Sequence, residues 1–286
     1  MRIQHNIPAL SSHRNLTNNN SALTKNLEKL SSGYRINRAG DDAAGLAISE
    51  KMRAQTTGLA AAQKNAEDGV SLVQTAEGAL TEVHSMLNRM VDLAVQSANG
   101  TYSSANRVEM QKEIKALLTE IDRIGQASNF NGTKLFDGST PTLDLHVGET
   151  GDSFNTITVT LNTMASNSMQ AIAAGTTTPT TIDANASINV STAASAKESI
   201  SFINAIIDGI SSMRSDFGAL QNRLEHTINN LSVQNENITA AESRIRDVDM
   251  AKEMMAYTKN NILVQASQAM LAQANQVPQG VLQLLQ

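Results

Sequence analysis

Apolar residues recur at steps of three and four along two long stretches of the chain, and the region between them lacks this pattern. One stretch runs from Leu59 to Ala94 and the other from Ile203 to Val248. A helical apolar stripe held over about five heptads needs a partner helix to cover it. At about 1.5 Å rise per residue, the first stripe spans roughly 54 Å. We therefore predict two long helices that pack against each other.

The residue types agree with helix–helix packing. Aromatic residues make up only 3% of the chain and Trp is absent, so aliphatic side chains must fill the core. Such side chains suit thin seams between helices. With only 4 Pro and 16 Gly among 286 residues, long helices can run with few interruptions. The predicted fold class is mostly α, with long antiparallel coiled-coil-like helices that form a rod and one small β-hairpin.

Local signals divide the chain further. We predict helices at about 1–33, 43–98, after residue 106, at 196–235 and at 251–275. Gly33 is a plausible helix stop, and Asp41 or Asp42 can cap the next helix. Apolar and polar residues alternate near 142–162, which predicts the β-hairpin. Residues 165–194 are rich in Thr, Ala, Ser and Asn, and we expect them to form an exposed connection.

Several functional classes find no support in the residues. The net charge of -5 leaves no basic face for nucleic acid, and no apolar run is long enough for membrane insertion. The chain has no Cys, and its five His show no ligand-type pairing. We expect no catalytic residues, no cofactor and no metal. The segment MRIQHNIPAL lacks the apolar core of a secretory signal, so we expect export without one.

We expect the chain to pass between its two helical segments twice, near residues 34–42 and 240–250. Two clusters near the second of these crossings have ordinary structural explanations. Met250, Met254 and Met255 lie at helical spacing, which predicts packing residues rather than a soft metal site. The charged residues between Arg244 and Asp249 predict a solvated face, unless partner subunits bury it.

Apolar residues also lie at both free ends of the chain, where one pair of helices cannot cover every side. Unless other chain buries them, they indicate contacts between subunits. We predict self-assembly through Ile3, Ile7, Leu10, Leu16, Leu23, Leu27, Leu30, Ile262, Val277, Val281 and Leu284. We expect these ends to order fully only on assembly.

Long motifs at both ends resemble the bacterial flagellin family. Near the N-terminus these are LEKLSSGYRINRAGDDAAGLAISEKMRAQ, LAVQSANGTYSSANR, EIDRI and FNGTKLFDG. Near the C-terminus they are FGALQNRLEHTINNL, ESRIRDVDMAKEM and QANQVPQGVLQLL. The resemblance covers about 1–140 and 195–286.

The resemblance implies a subunit of the extracellular flagellar filament, with residues 1–40 and 247–286 in an inner coiled-coil domain and 41–246 in an outer helical domain. It also implies type III export, with a flagellar secretion chaperone, a filament cap protein and a hook–filament junction protein as partners. Host Toll-like receptor 5 would recognise the monomer through Arg89, Leu93, Gln96 and Glu113, with Leu93 as an apolar neighbour of the Arg89 anchor. The alternatives are a hook–filament junction protein of related build and a soluble helical enzyme or effector.

Overall fold

The computed structural model describes residues 6–164 and 188–284, with side chains up to residue 276. Long helices dominate these ranges, as predicted. They are α1 (Ile7–Ser32), α2 (Ala43–Ala98), α3 (Ser104–Ala127), α4 (Ala193–Arg246) and α5 (Met250–Leu284). Both C-terminal helices run further than their predicted limits of 235 and 275, so the chain is almost continuously helical from residue 193 onward. The strands are β1 (Asn129–Phe130), β2 (Thr133–Lys134), β3 (Thr142–His146) and β4 (Thr156–Thr160).

The chain divides into two compact units. One combines the two ends of the chain, up to residue 57 and from residue 235, and the other spans residues 58–234. We refer to them as the terminal unit and the central unit. The domain limits near residues 40 and 247, which follow from the family resemblance, stay predictions.

In the central unit, α2 and α4 run antiparallel. Glu77 on α2 pairs with Arg214 on α4 at 3.4 Å. Nearer the start of α2, a Cβ placed on Gly69 would lie 3.5 Å from a side-chain methyl of Leu224 on α4, so the two helices also meet there. Residues further along α2 therefore meet residues earlier on α4. The stripes predicted from the sequence line this contact, and their fully buried members include Val73, Leu80, Val83, Leu87, Ile203 and Ile210. Ile207, also a member of the predicted stripe, is only partly buried, and its neighbour Ile206 is fully buried in its place.

Helix α3 folds back along the last part of α2. Ser103 caps its first turn by accepting a hydrogen bond from the N–H of Asn106 (3.3 Å). The guanidinium of Arg107 then donates to the carbonyls of Ser97 and Asn99, at 2.9 and 3.0 Å. These carbonyls have no partners within α2 because they lie at its C-terminal end. The turn between α2 and α3 is thus fixed by one side chain that serves both helices.

The predicted hairpin is confirmed as the antiparallel pair β3–β4. Leu143 lies opposite Val159 and Leu145 opposite Ile157, so the apolar residues of both strands face the core. A smaller antiparallel pair, β1–β2, flanks the two residues Asn131-Gly132. Both turn residues have positive φ, 48° for Asn131 and 83° for Gly132, as a two-residue hairpin turn requires.

The expectation of an exposed connection at 165–194 is wrong at two of its described residues, although Asn189 and Thr192 are exposed. Residues 165–187 lie outside the described residues, but Ile188 and Val190 are fully buried in the core of the central unit. The side-chain amide of Gln111 donates to the carbonyl of Ile188 (3.2 Å) and accepts from the N–H of Val190 (2.6 Å). A polar-rich composition concealed two alternating apolar residues that extend beside α3 in the manner of a short strand.

A core substitution tests the division between the buried stripes and the chain ends. We expect Leu80→Ala to lower the free energy of unfolding by about 2–5 kcal/mol, because it leaves a cavity in the central unit. Leu10→Ala makes the same chemical change at a side chain that is 63% exposed. That variant should change the stability of the monomer by less than about 0.5 kcal/mol. Urea denaturation followed by circular dichroism measures both, and equal losses would contradict the assignment.

Candidate assembly and recognition surfaces

In the terminal unit, α1 packs on α5 through one face. The less exposed residues of α1 follow a heptad pattern of alternating steps of three and four: Ala9, Ser12, Leu16, Asn19, Leu23, Asn26 and Leu30. Those of α5 do the same at Glu253, Tyr257, Asn260, Val264, Ser267, Leu271 and Ala274. A seam of this period is typical of coiled-coil packing. The predicted assembly residues Leu16, Leu23 and Leu30 therefore lie in the seam within one chain.

Polar side chains alternate with the leucines along this seam. The amide of Asn19 donates to the hydroxyl of Ser267 at 3.0 Å, and that of Asn6 donates to the carbonyl of Ala274 at 2.8 Å. The side-chain oxygen of Asn26 accepts a hydrogen bond from the side-chain amide of Asn260 at 2.9 Å. Later residues of α1 meet earlier residues of α5, so the two helices are antiparallel.

The seam covers only one face, and large apolar side chains remain exposed elsewhere on the pair. No described residue of α1 is buried, and on the described part of α5 only Val264 is. Of the predicted assembly residues, Ile7 (61% exposed), Leu10 (63%), Leu27 (53%) and Ile262 (60%) are free. Ile3 and the side chains of Val277, Val281 and Leu284 lie outside the described residues. Burying one free Leu or Ile would contribute about 1.5–3 kcal/mol, so this surface favours association.

The two crossings of the chain meet in the terminal unit. Helix α1 ends at Gly33, whose φ of 75° confirms the predicted left-handed stop. The carbonyl of Gly33 accepts from the N–H of Val248 (3.0 Å), and the N–H of Arg35 donates to the carbonyl of Arg246 (2.7 Å). These two hydrogen bonds flank an antiparallel bridge between Tyr34 and Asp247. We call this arrangement the joint.

The two adjacent aspartates have different functions in the loop that follows. Asp42 caps α2 by accepting from the N–H of Gly45 at 2.9 Å. Asp41 accepts from the N–H groups of Arg38 and Asn37, which hold the pKa of its carboxyl below the ordinary value. The turn therefore keeps this stabilisation above the ordinary carboxyl pKa and loses it as pH falls through the lowered value. A side chain at Gly45 would collide with Asp42 and Ile36, which explains the glycine.

Arg246 lies at the centre of the joint, so the prediction of a merely solvated charged face is wrong for this residue. Its side chain is 13% exposed and donates to the Glu50 carboxylate at 2.7 Å. Its guanidinium carbon also lies 4.8 Å from the centre of the Tyr34 ring, within the range of a cation–π interaction. The neighbouring Arg244 is exposed. Helical spacing alone could not separate the two arginines, since the partners of Arg246 are almost 200 residues away.

The predicted receptor residues lie in the central unit, and three of the four reach the surface. The Arg89 guanidinium on α2 pairs with the Glu113 carboxylate on α3 at 2.9 Å, and both side chains are about half exposed. Gln96 is also exposed. Leu93, however, is 2% exposed and packs in the core. The expectation that Leu93 is an apolar surface neighbour of Arg89 is therefore wrong for the isolated chain.

No group of three or more His, Cys, Asp or Glu in the described part of the chain could hold a metal ion. Across residues 6–164 and 188–284, no helix has the length and hydropathy needed to span a membrane. The features that stand out are the surfaces described above.

Comparison with known proteins identifies the family. The family model for the N-terminal helical region of bacterial flagellin matches residues 3–140, and that for the C-terminal helical region matches 200–285. A flagellin of Bacillus subtilis (strain 168) is 52% identical over 305 aligned residues that cover all of both chains. The chain belongs to the bacterial flagellin family. Among similar proteins is also the flagellar filament 33 kDa core protein of Treponema phagedenis, 46% identical over the full length of both chains.

A solved structure gives a further comparison. The crystal structure of Bacillus cereus flagellin aligns with 63% of this chain and 94% of that chain, at 32% identity and a TM-score of 0.47.

Family membership defines the function in broad terms. The chain is a structural subunit of the extracellular flagellar filament, which serves motility. Sequence similarity over the full length to a flagellin and to a filament core protein favours this function over that of a hook–filament junction protein. Flagellin relatives are structural proteins, and self-assembly follows from that role.

The contribution of Arg246 to the local stability of the joint can be tested in the monomer, independently of the assembly surface. We expect Arg246→Ala to speed hydrogen exchange of the Arg35 and Val248 amides by about tenfold, because roughly 1.4 kcal/mol of local stability would be lost. Arg244→Ala removes the same charge from the same turn of α4 and should leave both rates unchanged. The two amide exchange rates are measured by NMR on the monomer of each variant. Equal acceleration in both variants would show that net charge, rather than the contacts of Arg246, matters.

Proposed function

We propose that the subunits of this filament contact one another through the exposed apolar faces of α1 and α5. The observation that supports the proposal is the concentration of exposed large apolar side chains on this pair. They are Ile7, Leu10, Leu27, Met250, Met254, Met255, Ile262, Leu263 and Met270. In the central unit, by contrast, most apolar residues of the helices and the hairpin join one buried cluster. Its exposed large apolar residues lie singly on different elements, namely Val95 on α2, Val108 on α3, Phe154 before β4 and Val233 on α4. Apolar surfaces of the kind found on α1 and α5 mark sites of association.

This proposal gives the two units different functions. The terminal unit, with the inner domain at 1–40 and 247–286, makes contacts that polymerise the chain. The outer domain at 41–246 contains a core that closes within one subunit. We infer that neither has a catalytic role. The flagellar secretion chaperone, the filament cap protein and the hook–filament junction protein are the further partners that we propose, and the exposed apolar face of α5 is chemically suited to a helical partner.

Assembly can be measured with one pair of matched variants. Ile262→Asn places an amide on the exposed face of α5, and Val108→Asn does so on α3, where Val108 is 47% exposed. We expect Ile262→Asn to raise the critical concentration for seeded polymerisation by about tenfold or more, because burying an amide without a partner is costly. Val108→Asn should polymerise like the original chain. Light scattering and electron microscopy give the readout.

Two results would contradict the assembly proposal. Normal polymerisation of Ile262→Asn would show that α5 is not buried between subunits. Equal impairment by Val108→Asn would show that the contacts are not confined to α1 and α5. Unfolding curves of both monomers exclude a loss of stability as the cause.

We also propose that host Toll-like receptor 5 contacts the monomer at Arg89, Gln96 and Glu113. The ion pair between α2 and α3 presents a partly exposed Arg held in one position, a feature typical of interaction hot spots. Leu93 would support this surface from the core beneath it.

Receptor activation has its own matched control. We expect Arg89→Ala to lower the potency of the monomer in a receptor reporter assay by about tenfold or more, as loss of an anchor does. Arg123→Ala removes an exposed Arg that pairs with Glu120 on α3 and should have no effect. Leu93→Ala should act only as far as it lowers stability. Unchanged potency of Arg89→Ala would overturn the assignment.

A further inference from the structure

The methionines of the chain are segregated by exposure. Among the described residues, those on α5 are exposed: Met250 (48%), Met254 (50%), Met255 (68%) and Met270 (62%). Those of the central unit are partly or fully buried, namely Met86, Met90, Met110, Met164 and Met213. Met250, Met254 and Met255, which the sequence predicted as packing residues, are therefore not covered within the single chain. Their exposure calls for another explanation.

Three of the exposed methionines, Met254, Met255 and Met270, lie away from the side of α5 that faces α1. Each residue turns an α-helix by about 100°, so the position of each relative to the seam follows from its number. On this reckoning Met255 lies about 160° from Glu253, and Met254 and Met270 lie about 100° from it on opposite sides, whereas the seam residues stay within about 60° of Glu253. Met250, the first residue of α5, stands one heptad before Tyr257 and so continues the register of the seam, but it is exposed. Ile262 lies one heptad after Met255 and shares its face. The thioethers thus form part of the apolar surface that we propose is buried between subunits.

We propose that these methionines are oxidation sites through which a peroxide blocks assembly of the monomer, an inference that rests on the proposed assembly surface. The sulfur lone pair attacks one peroxide oxygen, the S–O bond forms and the O–O bond breaks. After proton transfer, the products are methionine sulfoxide and water. Sulfur loses two electrons, which the peroxide gains.

The product differs from the original side chain in the property that assembly requires. A thioether is apolar and adapts its shape to a neighbour, whereas a sulfoxide is polar and accepts hydrogen bonds. Burying it at an apolar contact without a donor is unfavourable. Because every subunit contributes the same residues, the cost recurs at each addition to the filament. The buried methionines of the central unit are shielded, so the fold itself survives.

The exposure of these methionines also predicts when they can be oxidised, namely before the subunit is assembled. The α5 methionines are accessible in the monomer and covered once the subunit has been added. Peroxide should therefore act on free subunits much faster than on finished filaments. A sulfoxide reductase that restores the thioether should restore assembly.

The experiment uses the full chain as monomer and as filament. Both are treated with hydrogen peroxide, and sulfoxide at each methionine is measured by peptide mass spectrometry. We expect modification at residues 250, 254, 255 and 270 in the monomer, with at least about tenfold slower modification in the filament. The oxidised monomer should need a critical concentration at least about tenfold higher, and reductase treatment should reverse the change.

Two variants separate oxidation of these residues from other damage. Replacing all four by Leu keeps a similar volume and removes the sulfur, so this variant should assemble before and after peroxide treatment. Met255→Gln introduces a polar side chain of similar length without any oxidant. It should raise the critical concentration in the untreated protein. If the fourfold variant does not assemble, Met255→Gln and recovery of assembly after reductase treatment still test the proposal.

The outcomes distinguish this proposal from the one on which it rests. Sulfoxide at all four positions with unchanged assembly would overturn the oxidation proposal, and impaired assembly of Ile262→Asn would then leave the assembly surface intact. Equal modification rates in monomer and filament, together with normal assembly of Ile262→Asn, would overturn both. Loss of assembly by the fourfold Leu variant after peroxide would place the damage elsewhere and overturn the oxidation proposal alone.

Discussion

A pair of helices can bury only one face of each, and the behaviour of the terminal unit depends on this constraint. The heptad seam between α1 and α5 includes Leu16, Leu23 and Leu30, but no described residue of α1 becomes fully buried. Side chains such as Leu10 and Ile262 therefore stay in water until another molecule covers them. These free faces leave a subunit that is incomplete alone.

The central unit shows the opposite solution with the same residue types. Helices α2, α3 and α4, the hairpin and the segment at Ile188 and Val190 enclose one cluster in which the large side chains are almost fully buried. Leu93 belongs to this cluster, although Arg89, one turn earlier on α2, reaches the surface. The depth of a helical residue depends on which neighbours lie opposite it. A central unit closed in this way presents charged residues on a surface with few exposed large apolar side chains.

The sequence predicted features whose cause is local, and missed those whose cause is distant. The long stripes, the left-handed Gly33 and the β3–β4 hairpin follow from periodicity or from the preferences of single residues. The burial of Leu93, by contrast, depends on a cluster built from distant parts of the chain, and so does that of Val190, whose N–H donates to Gln111. Arg246 could not be told from Arg244, because Glu50 and Tyr34 reach it only after folding. Exposure of the α5 methionines was likewise hidden, since apolar residues at helical spacing fit both buried and free faces.

The polar residues of the seam explain how an incomplete unit can still assemble in one way. A seam of leucines alone could slide by a heptad, because every register would bury similar surface. Asn19 bonds Ser267 and Asn26 bonds Asn260 in the observed register, and the joint ties the adjoining end of the pair through the Arg35 and Val248 hydrogen bonds. Register determines which side chains stand beside one another on the free faces. Identical subunits can form a regular polymer only if each presents the same surface. The asparagines therefore lower the stability of the pair and, in return, define the surface on which the filament depends.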